Sequence, residues 1–257
     1  MNNSVVISGI SIVSPLGLNI RENWQNLLVG KDAFSKIESF DASPFSTSIG
    51  AEIKSLIGVE DRYLKIFDTL INELLVDADL KKDDLKKAAL LIGSSFIGIE
   101  GDKVKKTNSY IKELKKNYGF KNVIVNTNTC AASNFSVNSA YNLVKGGFYD
   151  YVICGGIEIL TRYLFAGFDS IRSLSKSSPK PFSRDRDGLI PGEGGALLVV
   201  ENEERLERRN KKGYCKILGF GSSVDNCKVT SMDKNGLGIK KCFEEALSKG
   251  CVRTEEI

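Results

Sequence analysis

The segment Asn126-Thr-Asn-Thr-Cys130-Ala-Ala-Ser133 lies between two stretches of different character. The β-branched run Val123-Ile-Val125 precedes it, and an uncharged stretch from Cys130 to Val144 follows it. β-Branched runs favour strands, and a long uncharged stretch rich in small residues favours a buried helix. The sequence therefore predicts a strand that turns sharply and opens a helix, with a thiol in the first turn of that helix.

The predicted position of Cys130 suits a reactive thiol. The first turn of a helix leaves backbone N–H groups without partners, and the helix dipole is positive there. Both effects favour the thiolate, which is the nucleophilic form of cysteine. We therefore interpret Cys130 as a nucleophile; the alternative is a small buried side chain that only fills the core.

The predicted helix behind Cys130 has no charged residue up to Val144, and Ala and Ser occur on all of its faces. A helix without a polar face is buried all round. We therefore expect it to lie between two layers of structure, and we expect this chain to supply only one of those layers.

Composition and charge limit the function classes. The 257 residues are 42% hydrophobic and 26% charged, which is ordinary for a globular protein with a substantial core. The formal charge of +4 is too small to indicate nucleic-acid binding. No run approaches the about 18 apolar residues of a membrane helix, and no basic region precedes the first apolar run. We expect no membrane span and no signal peptide.

Cysteine and histidine usage narrows the chemistry further. Six cysteines are spread along the chain without a Cys-x-x-Cys pair, a pattern typical of reduced cytoplasmic thiols rather than of disulfides. The chain has no histidine, so these residues alone cannot complete a mechanism that needs an imidazole base. We expect a cytoplasmic protein that holds neither a metal nor a cofactor.

Apolar patterns along the rest of the chain alternate between strands and helices, which indicates an α/β class. Strands are predicted at residues 5–12, 88–93, 123–125, 151–154, 196–200 and 214–221, with Gly155 and Gly156 ending the fourth. Helices are predicted between Asn19 and Gly30 and at residues 61–75, 103–116, 130–144, 203–212 and 237–249. Residues 166–194 are expected to be irregular.

Several motifs in a fixed order resemble one protein family. They are Asn128-Thr-Cys130-Ala-Ala-Ser133, Gly146-Gly-Phe-Tyr-Asp150, Val152-Ile-Cys-Gly-Gly156, Phe182-Ser-Arg-Asp-Arg-Asp-Gly188, Pro191-Gly-Glu-Gly-Gly-Ala196, Gly219-Phe-Gly-Ser-Ser223 with Val229-Thr-Ser231, and the opening segments 9–18 and 24–30. Together they resemble the N-terminal half of the β-ketoacyl-acyl carrier protein synthases over nearly the whole chain. One cysteine would be weak evidence, whereas several ordered motifs are strong evidence.

The resemblance implies the thiolase-like fold, with residues 1–257 as the β-ketoacyl synthase N-terminal domain and the C-terminal half absent. That half-fold is a mixed five-stranded sheet with helices on both faces, and its nucleophile helix is buried at the junction of the two halves. The implied reaction is the decarboxylative Claisen condensation of acyl and malonyl thioesters in fatty-acid or polyketide synthesis. Cys130 would take the acyl chain from a carrier protein, and a malonyl-carrier would lose CO₂ to give the attacking carbanion.

In this family, two histidines of the C-terminal half assist decarboxylation, and that half also supplies the second oxyanion donor beside the N–H of Cys130. The sequence stops just before the segment where the first histidine is expected. We therefore expect at most self-acylation of Cys130, without condensation, from a chain that is a shortened protein, a natural half or a fragment.

Two departures from the family pattern bear on function. The segment between Gly98 and Val123 is shorter than in the family, where it helps to form the dimer and covers the acyl tunnel. Ser133 stands where members usually have glycine.

Chain-length-factor relatives usually replace the nucleophile, so Cys130 argues against that role.

Other residues are weaker candidates. Phe168 resembles a phenylalanine that lines the acyl pocket of the family, with plain core packing as the alternative. Three acidic residues of the glycine-rich loop are expected to pair with Arg184 and Arg186 rather than to act as acids or bases: Asp185, Asp187 and Glu193.

Two groups of basic residues could attract an acidic carrier protein. The first is the basic stretch 103–121, for which a solvated face is the favoured interpretation. The second is a weaker patch formed by Lys54, Arg62 and Lys65.

Three functional hypotheses stay open. The first is the nucleophile-bearing half of a β-ketoacyl synthase, with an acyl carrier protein carrying acyl and malonyl thioesters as substrate partner and a homodimer or a heterodimer with a ketosynthase-like chain as assembly. The second is a non-catalytic ketosynthase-like partner subunit or remnant. The third is a thiolase-type acyltransferase on coenzyme A, against which the signature Arg184-Asp-Arg-Asp-Gly188 speaks. Neither nucleic acid nor membrane is expected as a partner.

Overall fold

The computed structural model describes residues 4–100, 103–225, 227 and 233–257. The elements in chain order are β1 (Val5–Val13), α1 (Ile20–Leu28), β2 (Ser35–Lys36), β3 (Ile49–Gly50), α2 (Arg62–Asp77), β4 (Ala89–Gly93), β5 (Ile99–Glu100), β6 (Lys103–Val104), α3 (Thr107–Tyr118), β7 (Asn122–Asn126), α4 (Ala132–Lys145), β8 (Tyr151–Glu158), α5 (Arg162–Ser170), β9 (Gly194–Asn202), α6 (Glu203–Arg208), β10 (Cys215–Lys216) and α7 (Leu237–Gly250).

One mixed sheet organises the chain, with the strand order β10–β1–β9–β8–β4–β7. The pairs β10–β1, β1–β9 and β9–β8 are antiparallel, whereas β4 pairs in parallel with both β8 and β7. The five longer strands confirm the predicted mixed five-stranded sheet. The two-residue strand β10 adds a short sixth member at one edge.

Helices cover both faces of this sheet, as predicted. On β4, Leu90 and Ile92 belong to the core beneath α2 and α3, and Leu91 belongs to the core beneath α4. This alternation is the period of two that a strand buried on both faces produces. α2 packs on the sheet because its apolar residues recur every three or four positions and so share one face. The buried apolar residues of this face are Tyr63, Ile66, Phe67, Leu70, Ile71 and Leu74.

The first helix has the predicted ends. The Asn19 side chain accepts a hydrogen bond from the N–H of Glu22 at 2.9 Å, which caps the start of α1. Gly30 follows the helix with φ of 68°, the left-handed conformation that commonly ends helices. Trp24 is exposed on this helix.

Across the described ranges, no helix is both long enough and apolar enough to cross a membrane.

α4 is buried along one face only. The buried residues Ala132, Ser136, Ala140 and Val144 follow a four-residue spacing and face the sheet. On the opposite side, the polar residues Asn134 and Asn142 are exposed. Within the part of the chain that the structure describes, α4 is therefore not buried on all sides, which corrects the expectation taken from the lack of charge. The sheet of this chain supplies the layer beneath α4. The expectation of a second layer over its exposed face stays a prediction.

Several other boundaries differ from the sequence prediction. β8 continues through its two glycines to Glu158, α5 begins before the segment expected to be irregular, and residues 214–221 form a strand only at Cys215–Lys216. α3 is not wholly solvated, since it buries Tyr110, Leu114 and Tyr118. The motif residues 229–231 lie outside the described residues.

The first turn of α4 lies so close to the sheet that only glycine fits beneath it. Gly93 of β4 and Gly156 of β8 are direct partners in the parallel register. A Cβ atom on Gly93 would lie 2.3 Å from the backbone N of Ser133 and 2.4 Å from the carbonyl carbon of Ala132. Backbone atoms cannot rotate away, so any side chain at position 93 would push the helix off the sheet.

We expect Gly93→Ala to lower the free energy of unfolding by about 3 kcal/mol because it overpacks this contact. Urea denaturation followed by circular dichroism measures the change. Gly167→Ala is the matched control: Gly167 lies within α5, and a Cβ atom there would have no neighbour within 4 Å, so alanine should change stability by less than about 1 kcal/mol. Equal stabilities of Gly93→Ala and the unmodified chain would contradict the close packing.

Candidate active site

Cys130 lies in a strained turn between β7 and α4. Residues Thr129–Ala131 form a single turn of 3₁₀ helix, and α4 starts at Ala132. Thr129 has φ of 48°, a left-handed conformation that β-branched residues rarely adopt. Such a conformation costs about 1–3 kcal/mol and persists only where the surroundings fix it. The turn redirects the chain from β7 into the helix and leaves Cys130 exposed.

Hydrogen bonds from both neighbouring elements fix this turn. Asn126 Nδ2, at the end of β7, donates to Ser136 Oγ at 2.8 Å. Ser136 Oγ donates in turn to the carbonyl oxygen of Ala132 at 3.1 Å. The carbonyl oxygen of Asn126 accepts a hydrogen bond from the N–H of Ser94 at 3.1 Å. The end of β7 is thereby tied both to the second turn of α4 and to the neighbouring strand.

An open cavity of about 270 Å³ surrounds Cys130. The carboxyl ends of β4 and β8, the strained turn and the first turn of α4 provide its walls. Besides Cys130, Glu158 is the only ionisable residue among the described residues that line it. The N–H of Cys130 has no acceptor within hydrogen-bond distance in the described part of the chain, so it is available to a bound oxygen atom.

Glu158 is a residue of this site that the sequence analysis did not identify. Its carboxylate accepts hydrogen bonds from the N–H groups of Ser95 at 2.7 Å and Phe96 at 3.2 Å, and from Ser94 Oγ at 3.1 Å. Burial raises the pKa of Glu158, and these three hydrogen bonds oppose the rise. Strand periodicity was the available signal, because residues 154, 156 and 158 of β8 share the face that α4 covers.

The family model for the N-terminal domain of β-ketoacyl synthases matches residues 2–120 and 115–205. These matches include Cys130 and all residues that line its cavity. The chain belongs to the β-ketoacyl synthase family. The two matches overlap at residues 115–120, inside the segment that the sequence analysis expects to be shorter than in the family.

Curated relatives of this β-ketoacyl synthase chain agree with the family assignment. The 3-oxoacyl-[acyl-carrier-protein] synthase 2 of Staphylococcus aureus (strain COL) is 26% identical over 296 aligned positions, which cover 100% of this chain and 71% of the relative. The protein of the same name from Coxiella burnetii is 26% identical and covers 98% of this chain and 71% of the relative. The alignment with the former is longer than the 257 residues of this chain, so part of the relative has no counterpart within it.

Solved ketosynthase structures share the fold. A type II polyketide synthase acyl carrier protein in complex with its ketosynthase, bound to the hexaketide, gives a TM-score of 0.86 at 22% identity, over 99% of this chain and 72% of that chain. The ishigamide ketosynthase/chain length factor gives 0.81 at 24% identity, over 100% of this chain and 72% of that chain. The described half-fold is therefore that of the ketosynthases.

Phe168 does not line the Cys130 cavity. It lies in α5 and packs against a third apolar cluster that contains Phe165 and Leu164. Phe96 packs against the same cluster and follows the two serines that line the cavity. The structure thus gives Phe168 a packing role, and its role in lining an acyl pocket stays a prediction.

The acidic residues of the glycine-rich loop find other partners than those expected. The side chain of Glu193 is fully buried and forms an ion pair with Arg62 of α2. Its carboxylate also accepts hydrogen bonds from the N–H groups of Ile53 at 2.7 Å and Leu160 at 3.0 Å. Burial raises the pKa of Glu193, and the charge of Arg62 opposes this. The expected pairing with Arg184 and Arg186 is therefore wrong for Glu193.

The two aspartates of this loop do not pair with these arginines either. Asp187 accepts hydrogen bonds from Ser175 Oγ at 2.7 Å and from the N–H of Lys176 at 3.3 Å, and the Ser175 contact lowers its pKa. No ion pair joins Asp185 to Arg184 or Arg186 within the described ranges. Glu193 and Asp187 thus both accept backbone N–H groups.

The weaker basic patch does not form as a surface. Arg62 is buried against Glu193, and Lys54 Nζ contacts Glu38 at 2.8 Å and Glu52 at 3.3 Å. The stretch 103–121 does present exposed lysines at positions 106, 112, 115, 116 and 121. Within the described ranges, no group of three or more His, Cys, Asp or Glu side chains could hold a metal ion.

The contact between Ser133 and Gly156 can be tested by a double-mutant cycle. A Cβ atom on Gly156 would lie 2.0 Å from Ser133 Oγ and 3.0 Å from Ser133 Cβ. We expect Gly156→Ala to cost about 2 kcal/mol of stability, and we expect Ser133→Gly to restore most of that loss because it removes both atoms. Urea unfolding of the four proteins in the cycle gives the coupling energy.

The same Ser133→Gly change should not rescue Gly93→Ala, because the atoms that a side chain at Gly93 would meet belong to the backbone. Additive effects of Gly156→Ala and Ser133→Gly would show that the serine does not occupy the space above Gly156.

The buried ion pair predicts a pH dependence. We expect Arg62→Met to lower the free energy of unfolding by about 3–5 kcal/mol at pH 8, because Glu193 is then a buried charge without a counter-charge. A carboxyl whose pKa is raised on folding stabilises the fold below its unfolded pKa, and this contribution is lost as pH rises through the folded pKa. The loss should therefore be smaller at pH 5 than at pH 8.

Denaturant unfolding of Arg62→Met at several pH values measures this trend, with the double variant Arg62→Met, Glu193→Gln as the control. The control has no carboxyl at position 193, so most of the added pH dependence should disappear. A variant whose stability rises with pH between 5 and 8 would be evidence against the assignment.

Proposed function

We propose that this chain is the nucleophile-bearing half of a β-ketoacyl-acyl carrier protein synthase and that Cys130 accepts an acyl group from a carrier thioester. The observation that carries the proposal is the exposed thiol of Cys130, held by a strained turn beside an open cavity at the carboxyl ends of parallel strands. Family membership supports the chemistry, since curated relatives are named 3-oxoacyl-[acyl-carrier-protein] synthases.

The acyl-transfer step needs few groups. The Cys130 thiolate attacks the carbonyl carbon of the incoming thioester, and the carbonyl oxygen becomes an oxyanion within reach of the Cys130 N–H. The tetrahedral intermediate collapses, the carrier sulfur leaves as a thiolate, and the acyl group stays on Cys130. One thioester replaces another, so the step needs neither an oxidant nor a cofactor.

Condensation with a malonyl thioester needs more than these residues offer. The 257 residues contain no histidine, and Glu158, which shares the cavity with Cys130, is already engaged by three hydrogen-bond donors. Decarboxylation and full oxyanion stabilisation would therefore depend on groups supplied from outside this stretch of sequence.

Two exposed surfaces of this chain favour contact with a second, ketosynthase-like chain. β7 is an edge strand of the sheet, and its Ile124 is 46% exposed. The outer face of α4, next to Cys130, is exposed as well. We propose that a second ketosynthase-like chain, identical or different, covers one or both; one solved relative is a ketosynthase in complex with its chain length factor from Xenorhabdus doucetiae.

An acyl carrier protein is the proposed substrate partner. One structural neighbour is such a carrier protein in complex with its ketosynthase. All six cysteines are free thiols, which suits a reducing compartment and supports a cytoplasmic location: Cys130, Cys154, Cys215, Cys227, Cys242 and Cys251.

A second candidate function is a non-catalytic partner subunit that pairs with a complete synthase. The lack of histidine in these 257 residues favours it. The exposed Cys130 favours the enzymatic proposal instead, because a purely structural partner does not need a thiol in the cavity.

We expect Cys130 to gain one acyl group when the chain is incubated with an acyl carrier protein that bears a short saturated acyl chain. Intact-mass spectrometry measures the gain, and peptide mapping locates it. The Cys130→Ala variant should lose the label, because the nucleophile is gone. Cys215→Ala is the control, since it removes another exposed thiol from the edge strand β10 and should leave acylation unchanged.

Label retained on Cys130→Ala would refute the assignment of the nucleophile. A stable heterodimer with a complete synthase and no acylation of Cys130 would favour the partner subunit. Faster acylation from the same acyl group on coenzyme A than on the carrier protein would favour a thiolase-type acyltransferase.

A further inference from the structure

We propose that Glu158 is a positioning residue of the Cys130 site, whose carboxylate holds the Ser94–Phe96 turn as one wall of the cavity that receives the thioester. The part of this statement that concerns the thioester rests on the proposed function. The part that concerns the turn rests on the contacts of Glu158 alone.

The position of Glu158 joins two neighbouring strands at the site. Glu158 is the last residue of β8, and the Ser94–Phe96 turn directly follows the parallel partner strand β4. Ser94, Ser95 and Glu158 all line the cavity that contains Cys130. A change in this turn therefore changes the wall that faces the thiol.

The hydrogen bonds use both oxygens of the carboxylate. Oε1 accepts from Ser94 Oγ at 3.1 Å and from the N–H of Phe96 at 3.2 Å, and Oε2 accepts from the N–H of Ser95 at 2.7 Å. Two consecutive backbone N–H groups thus converge on one side chain. Without a carboxylate at position 158, these N–H groups would lose their partners.

Packing alone does not explain an acidic residue at this place. Burial disfavours the ionised carboxyl, so an apolar side chain of similar size would fill the same space without that cost. The carboxylate offers what an apolar side chain lacks, namely acceptors for three donors of one turn. Both oxygens are occupied in this way, which favours positioning over proton transfer from Cys130.

The same turn connects the cavity to the aromatic cluster of α5. Phe96 packs against the cluster that contains Phe165 and Phe168. Glu158 therefore holds a segment whose one end faces Cys130 and whose other end is anchored in that cluster. A displaced turn would alter how a thioester lies against the thiol, while the thiol itself would stay exposed.

The test compares Glu158→Gln with the unmodified chain. Glutamine keeps the shape but replaces one acceptor oxygen by a donor, so at least one N–H of the turn loses its partner. We expect hydrogen exchange at the amides of Ser95 and Phe96 to accelerate by at least about tenfold. Exchange in the strands of the sheet core should stay unchanged, which separates a local effect from general destabilisation.

Chemical reactivity supplies a second readout. Alkylation of Cys130 by iodoacetamide should change by less than about twofold in Glu158→Gln, because reactivity follows exposure and thiolate character. Acyl transfer from the carrier thioester should fall by at least about fivefold, because it depends on how the substrate is placed. A purely structural role of Glu158 would change both rates together.

Asp187→Asn is the matched control. Asp187 also accepts hydrogen bonds from a serine hydroxyl and a backbone N–H, but it does not line the Cys130 cavity. All readouts at the site should stay at the level of the unmodified chain. If Glu158→Gln fails to fold, Glu158→Asp replaces it in the test. Aspartate keeps the charge but withdraws it by one methylene, so hydrogen exchange at the amides of Ser95 and Phe96 should accelerate in the same way.

Unchanged exchange at Ser95 and Phe96 in Glu158→Gln would overturn the proposal. So would equal losses of alkylation and acyl transfer. If the unmodified chain accepts no acyl group at all, the proposed function is wrong, and the exchange measurement still decides whether Glu158 holds the turn.

Discussion

The contact on which the site depends is the approach of the first turn of α4 to two glycines of the sheet. Gly93 and Gly156 are register partners on parallel strands, and the absence of side chains there lets the helix backbone lie directly on the sheet. This approach forces the sharp turn that carries Cys130, because the chain leaves β7 at the level of the sheet and must enter the helix at once. The strained φ of Thr129, the exposure of the thiol and the position of the cavity all follow from that constraint.

Three glutamates with little or no exposure, elsewhere on the sheet and beside the site, hold segments that are far apart in the sequence. Glu158 holds the turn after β4, Glu193 joins the start of β9 to α2 through Arg62, and Glu201 accepts hydrogen bonds from Ser8 Oγ at 2.6 Å and from Arg209. Each carboxylate accepts several donors, which is what allows a charge to remain inside a protein. In this chain, these carboxylates tie turns and helices to the sheet, and the apolar clusters supply the bulk of the packing.

The amino-acid sequence was sufficient for the elements that produce a periodic pattern. The strands around Leu91 and Val199, the amphipathic α2 and the cap at Asn19 could all be predicted, because each leaves a local signal. The extent of β8 could not be predicted, because glycine is unusual inside a strand. Here Gly156 lies inside β8 and leaves space for the first turn of α4, which packs on the face of the sheet. The Glu193–Arg62 pair could not be predicted either, because its members are 131 residues apart and closer arginines were available. At the candidate site, Cys130 was selected from its motif, whereas Glu158 contacts neighbours that only the fold brings together.

The exposed side of α4 has a consequence for how such a chain behaves before it meets a partner. Its outward residues include Asn134 and Asn142, which are polar but carry no charge. Water solvates hydroxyl and amide groups well, so this face does not promote aggregation in the way an apolar face does. The same groups can exchange water for protein donors and acceptors without the large desolvation cost of an ion. A helix of this composition is compatible with both a solvated and an enclosed state, and assembly around the thiol can then be reversible.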